Sequence, residues 1–119
     1  MPKDFSRPRR VAEQIQRELA MLIQREINDP RVGMVTVSAV EVTRDLSLAK
    51  VFITVLDDSQ DIKVTLAALE HAAGFLRHEL GQRMKMRTVP SLRFKHDESI
   101  RRGAELSHLI DEAIAKDKH

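Results

Sequence analysis

The 119-residue chain contains no cysteine, no tryptophan and no tyrosine. Without thiols there is no disulfide, no thiolate nucleophile and no cysteine-held zinc or iron–sulfur site. The only aromatics are Phe5, Phe52, Phe75 and Phe94, too few for a surface that stacks successive bases on aromatic rings. An RNA partner would therefore be held through backbone charge and shape. Gly33, Gly74, Gly81 and Gly103 are widely spaced, so no glycine-rich phosphate loop is present. No apolar run comes near the length of a membrane span, and Met-Pro-Lys-Asp-Phe has no apolar signal core. The expectation is a soluble cytoplasmic protein with no membrane partner.

What is present suits one globular domain over residues 1–119, with an ordered core of about 5–115. Hydrophobic residues make up 42%, enough for a core, and charged residues 32% with both signs mixed, for a net charge of +2. Ser6 can cap a first helix, and Pro8 fits its first turn. Val11, Ile15, Leu19, Leu22, Ile23 and Ile27 form its apolar face, and Asn28-Asp29-Pro30 ends it. Residues 34–43 alternate as a strand, but the phase slips between Val37 and Val40, which predicts a bulge near Ala39. Arg44-Asp45-Leu46-Ser47 connects to a second strand whose inner face is Ala49, Val51, Ile53 and Val55. The two should pair as an antiparallel hairpin.

A longer helical stripe follows: Ile62, Leu66, Leu69, Ala73, Leu76, Leu80 and Met84. A straight helix of that length would be as long as the domain, so a break is expected at Ala72-Ala73-Gly74. Gly74 is the natural bend, because a small residue lets another backbone approach. On that reasoning Gly74→Val should destabilise the fold clearly. Arg87 to His96 reads as a third strand with Leu92 and Phe94 inward and Pro90 near its start, which suits an edge. A last helix from Ser99 would bury Ile100, Leu106, Ile110 and Ile114. A right-handed crossover would return the third strand parallel to the second, giving a three-stranded mixed sheet with helices on one face.

Few residues point to chemistry. His71 and His78 lie two helical turns apart, but no His-Glu-x-x-His pattern exists, and both read as surface residues. Asp57, Asp58 and Asp61 sit where a helix N-terminus favours negative charge, so they read as caps rather than as a metal cluster. No catalytic residue, metal or cofactor is expected. Charge distribution says more. Arg83, Lys85, Arg87, Arg93, Lys95, Arg101 and Arg102 face only Asp97 and Glu98 in the same stretch. Arg7, Arg9 and Arg10 crowd a helix N-terminus, where the dipole disfavours cations. A phosphate backbone attracts such patches by counterion release; a merely solvated basic face is the plainer alternative.

Several segments together resemble the ribosome-binding factor A family of bacterial small-subunit assembly factors. They are Arg7-Pro8-x-Arg10-Val11, Glu26-Ile27-x-Asp29-Pro30-Arg31-x-Gly33-Met34, Arg44-Asp45-Leu46-x-x-Ala49-Lys50-Val51, Ala72-x-Gly74, and Leu80-Gly81-x-x-Met84-x-x-Arg87-x-Val89-Pro90. The resemblance spans roughly Phe5 to Asp111. It implies an α+β, KH-like fold of type II-like order (α-β-β-α-α-β), with a helical kink at Ala72-Ala73-Gly74 replacing the Gly-x-x-Gly loop and a C-terminal helix added. It also implies binding to the small ribosomal subunit, its rRNA and ribosomal proteins, in late maturation and 5′-end processing of the rRNA precursor, with a link to growth in the cold. The expected protein is a non-enzymatic monomer with no small-molecule substrate.

The expected phosphate contacts are Arg77, Arg83, Lys85, Arg87, Arg93 and Lys95 near the helix pair and third strand, with Arg7, Arg9 and Arg10 as a second anchor. Arg31, Arg44 and Lys50 match family motif positions, although Arg44 and Asp45 would equally close the hairpin turn as an ion pair. The rival functions are a binder of non-ribosomal RNA and a protein–protein adaptor using Phe52 and Leu56 on the outer sheet face.

Overall fold

The computed structural model describes residues 7–57 and 59–98. Its elements are α1 (Arg7–Glu26), β1 (Val35–Val42), β2 (Leu48–Val55), α2 (Ile62–His71), α3 (Ala73–Met84) and β3 (Ser91–His96). The expected Ser6 cap, Asp58 and the C-terminal helix lie outside the described residues. The element order is the one that the KH-like resemblance implies.

The sheet has the order β1-β2-β3. β1 and β2 pair antiparallel, with Val42 opposite Ala49 and Val35 opposite Val55, and the register shifts between Val37 and Ala39. That shift is the bulge the phase slip predicts: one extra residue lets Val37 and Val40 both face inward. β3 runs parallel to β2, with Ala49 opposite Leu92 and Val51 opposite Phe94. All three helices cover one face. Ile15, Leu19 and Leu22 of α1, Ala49, Val51 and Ile53 of β2, and Leu69, Leu76 and Leu80 of the helix pair have no exposed surface. Each enclosed leucine or isoleucine stabilises the fold by about 1.5–3 kcal/mol, so the anticipated stripes are what hold the layers together.

The helix pair breaks at Ala72, where φ is −87° and ψ is 0°. The Ala72 N–H is shared between the carbonyls of Ala68 and Leu69, both at 3.1 Å. This tightened turn re-aims the chain so that Leu69 and Leu76 both reach the sheet. Gly74 is not the pivot. Beyond its own helix backbone and chain neighbours, nothing lies within 4 Å of where its Cβ would stand, and its φ is not left-handed. The expected close approach is absent, and with it the reason for Gly74→Val to be damaging.

α3 ends at Lys85, whose φ is +53°. β3 begins at Ser91, four residues later than the expected Arg87. Pro90, which is buried, has no N–H to give a ladder. The connection ahead of it is pinned instead by Arg77, whose Nε and Nη2 donate to the Val89 carbonyl at 2.9 and 2.8 Å.

At the opposite end of the sheet, Asp61 caps α2 by accepting from Lys63 N at 2.9 Å, and Asp57 accepts from Ser59 N and Oγ. Of these two the capping reading holds for Asp61 alone; Asp57 lies outside the helix and closes the turn ahead of it. Thr65 is the one buried polar residue among those described. It donates to the Arg31 carbonyl at 3.1 Å and accepts from Gln60 Nε2 at 2.8 Å. This ties α2 to the loop before β1.

Candidate nucleic-acid interface

Two cationic clusters far apart in sequence meet at one end of the fold. Arg7, in the first turn of α1, and Lys85 and Arg87, after α3, line one pocket of about 360 Å³ together with Asp45, Leu46, Met86 and Thr88. Ser91 N donates to the Ser47 carbonyl at 2.9 Å, which draws the β1–β2 turn against the α3–β3 connection. Among the described residues Arg7, Lys85 and Arg87 form no ion pair, so their charge faces solvent.

A second groove of about 480 Å³ adjoins the first and shares Met86, Arg87 and Thr88 with it. It continues past Gln82, Gly81, His78 and Arg77 to Gly74. The two form a continuous basic cleft from the start of α1 to the helix break, with Arg87 at the junction. Gly74 is thus open to the outside of the fold at the end of the cleft.

The other expected contacts divide. Arg44 belongs to the turn that borders the first pocket, but the turn does not close through an Arg44–Asp45 pair. Asp45 instead accepts from Thr43 Oγ1 at 2.8 Å, Ser47 N at 3.0 Å and Ser47 Oγ at 2.7 Å. These bonds hold its carboxyl below the usual carboxylate range, the Ser47 hydroxyl contributing most, and Leu46 takes a left-handed φ of 62°. Lys50, Arg93 and Lys95 form a separate basic row on the outer sheet face, where Lys50 is opposite Arg93. With Glu70 they border a hollow of about 370 Å³.

Some cations are engaged internally. Arg83 Nη1 meets Glu18 Oε1 at 3.3 Å, joining α3 to α1. Arg77 holds the Val89 carbonyl. Arg9 pairs with Glu13 at 3.6 Å on exposed helix surface, an interaction worth little. Arg10 is exposed in the same first turn of α1. Arg31 lies at the far end of the sheet, locked to Asp29 with Nη2–Oδ2 at 2.6 Å, and does not join the cleft. The sequence reading missed Gln82 and Thr88 in the cleft walls. Their position depends on a long-range approach that leaves no local pattern.

Among the described residues, no group of three His, Asp or Glu stands together as metal ligands would, and no helix is long and apolar enough to cross a membrane.

Residues 7–110 match the family model described as ribosome-binding factor A. The ribosome-binding factor A of Ectopseudomonas mendocina is 60% identical over 121 residues, covering 99% of this chain and 94% of that protein. That of Thioalkalivibrio sulfidiphilus is 59% identical over 118 residues, covering 99% and 92%. The crystal structure of ribosome-binding factor A from Thermus thermophilus superposes with a TM-score of 0.69 at 31% identity, over 75% of this chain and 93% of that one. A homology model of the Thermus thermophilus factor, fitted into a cryo-EM map of a 30S complex of that factor, gives a TM-score of 0.62 at 32% identity, over 73% and 91%. The α+β fold described above is accordingly KH-like, with the Ala72 break where a Gly-x-x-Gly loop would stand.

Proposed function

Because the chain belongs to the ribosome-binding factor A family, we propose that its basic cleft docks on the rRNA of the small ribosomal subunit during late maturation. The observation that carries this reading is the convergence of Arg7, Lys85 and Arg87 in one pocket, unpaired among the described residues. A second support is the Thermus thermophilus relative, fitted into a map of a complex with the 30S particle.

The mechanism is steric. A factor that binds one rRNA arrangement more tightly than another shifts the population toward it by that difference in affinity. Phosphates seat against the cleft cations, and Arg77 and Arg83 support it by fixing its walls. Exposing or shielding the precursor's 5′ end for a separate nuclease follows from such holding, with no reaction at the cleft itself. On this reading the protein works as a monomer in the cytoplasm, and its demand rises in the cold, where misfolded rRNA escapes slowly.

The test is Lys85→Glu combined with Arg87→Glu. Both side chains are exposed, so the circular dichroism spectrum and melting temperature should stay at parental values. Co-sedimentation with immature small subunits should be lost. Parental co-sedimentation by the double variant would refute the cleft as the docking surface. Association that survives ribonuclease, or crosslinks dominated by non-ribosomal RNA, would refute the rRNA assignment.

A further inference from the structure

The outer face of the sheet, opposite the three helices, carries a cationic group of its own. Lys50 of β2 stands directly opposite Arg93 of β3, and Lys95 stands opposite Phe52. All three cations are exposed, and Phe52 is half-buried on the same face. From strand spacing, the three cationic positions lie within about 8 Å of one another. Like charges directly opposite on a sheet repel and destabilise it. Among the described residues Lys50, Arg93 and Lys95 form no ion pair that would offset this repulsion. Two carboxylates border the row without pairing with it. Glu41 is opposite Lys50 on β1, and Glu70 Oε2 accepts from Phe94 N at 2.8 Å. A cluster that costs stability and pairs with nothing internal fits an external anion.

The row is distinct from the basic cleft. Its hollow is lined by Leu48, Lys50, Glu70, Arg93, Phe94 and Lys95, and it shares no residue with either pocket of the cleft. The cleft follows α3 on the helical side, so the two basic surfaces open on different sides of the sheet. Phosphates carry the charge that the row lacks. An unstacked base can lie on Phe52 beside them, because base–aromatic stacking tolerates any sequence. An acidic peptide would use the cations and leave the ring idle.

We propose that the Lys50–Arg93–Lys95 row is a second single-stranded RNA site, so that one molecule holds two rRNA segments, one on each side of its sheet. This rests on the reading of the cleft as an rRNA-docking surface. Once the first segment is seated, the second binds at the effective concentration that the linking rRNA sets. The factor thereby favours the rRNA arrangement in which both segments are within reach, and acts as a staple.

The test uses the full chain and two hexauridylates, one carrying a donor dye and one an acceptor. Single-strand sites span about 4–16 nucleotides, so a hexamer suits one surface. The parent should bind two hexamers, with energy transfer between them that does not change on protein dilution at constant occupancy. Lys50→Gln with Arg93→Gln should bind one and lose the transfer, the remaining site keeping its affinity within about twofold as independent sites do. The melting temperature of this variant should not fall, because a repulsion is removed. A parent that binds a single hexamer, or a double variant that still binds two, would overturn the proposal. So would transfer that fades on dilution, which marks two copies, or a lowered melting temperature, which marks the cations as structural. Displacement of the second hexamer by polyglutamate as readily as by unlabelled hexauridylate would overturn it in favour of an acidic protein segment. Lys85→Glu with Arg87→Glu separates the two readings: two hexamers on that variant would refute the cleft alone, since the row is read from the other variant.

Discussion

Asp29 sits on the surface, yet its carboxyl is held down from the ordinary 3.8 to about 2, chiefly by the side-chain hydrogen bonds from Arg31 and next by the Arg31 backbone N–H. The folded value is the depressed one. The pair therefore contributes its full stabilisation above pH 4 and loses it as the pH falls through about 2. A carboxyl titration followed by NMR should give that low midpoint, and Arg31→Ala should return it to the ordinary range. Two glycines make opposite predictions. Gly33 has a φ of +58°, and a Cβ there would meet the Gln60 side chain at 2.9 Å. Gly33→Ala should lower stability by about 1–2 kcal/mol from the left-handed backbone alone. Gly74 is helical and open, so Gly74→Ala should raise stability by about 0.5–1 kcal/mol, and Gly74→Val should be nearly neutral; chemical denaturation measures all three. The special backbone at Gly33 was legible only as the end of a loop. The freedom at Gly74 was misread, because a glycine beside two alanines looks like a contact when no neighbour is known.

At the scale of elements, periodicity carried most of the fold. The slip from Val37 to Val40 marks the bulge, the alternation of Ala49, Val51 and Ile53 marks the central strand, and the stripe from Ile62 to Met84 marks the broken helix. Asp61 was legible as a cap because its side chain acts on its own neighbours. Asp61→Ala should cost about 0.5–2 kcal/mol, visible as a lower melting temperature with the basic cleft's RNA affinity retained. The late start of β3 was not legible. Arg87, Thr88 and Val89 have strand-like composition, but Lys85 reverses the chain and Arg77 holds the Val89 carbonyl from another element. The partners of Arg77 and Arg83 likewise depend on tertiary approach, so the sequence displayed them as free cations.

For the whole molecule, the sequence supplied two basic clusters, and the fold brought only part of them together. Arg7 and Arg87 are 80 positions apart and border the same pocket, whereas Arg31 is at the far end and Lys50, Arg93 and Lys95 form their own row. A cleft that engages roughly five phosphates should give a log–log dependence of affinity on salt with a slope of about −3.5 to −4.5. Arg31→Ala should leave that slope unchanged, and Arg87→Ala should reduce its magnitude by about 0.7–0.9; binding isotherms across a salt series measure both.

Glu70 reaches from α2 to the outer margin of β3, where its Oε2 accepts from Phe94 N at 2.8 Å. Unpaired strand margins are where foreign chains add themselves and where fibrils start. Here the foremost N–H of that margin is already plugged by a carboxylate, at the same latitude as the Arg93 and Lys95 charges that would repel an incoming like copy. The β3 margin of this small sheet is thereby kept from recruiting strands out of a cell crowded with nascent polypeptide.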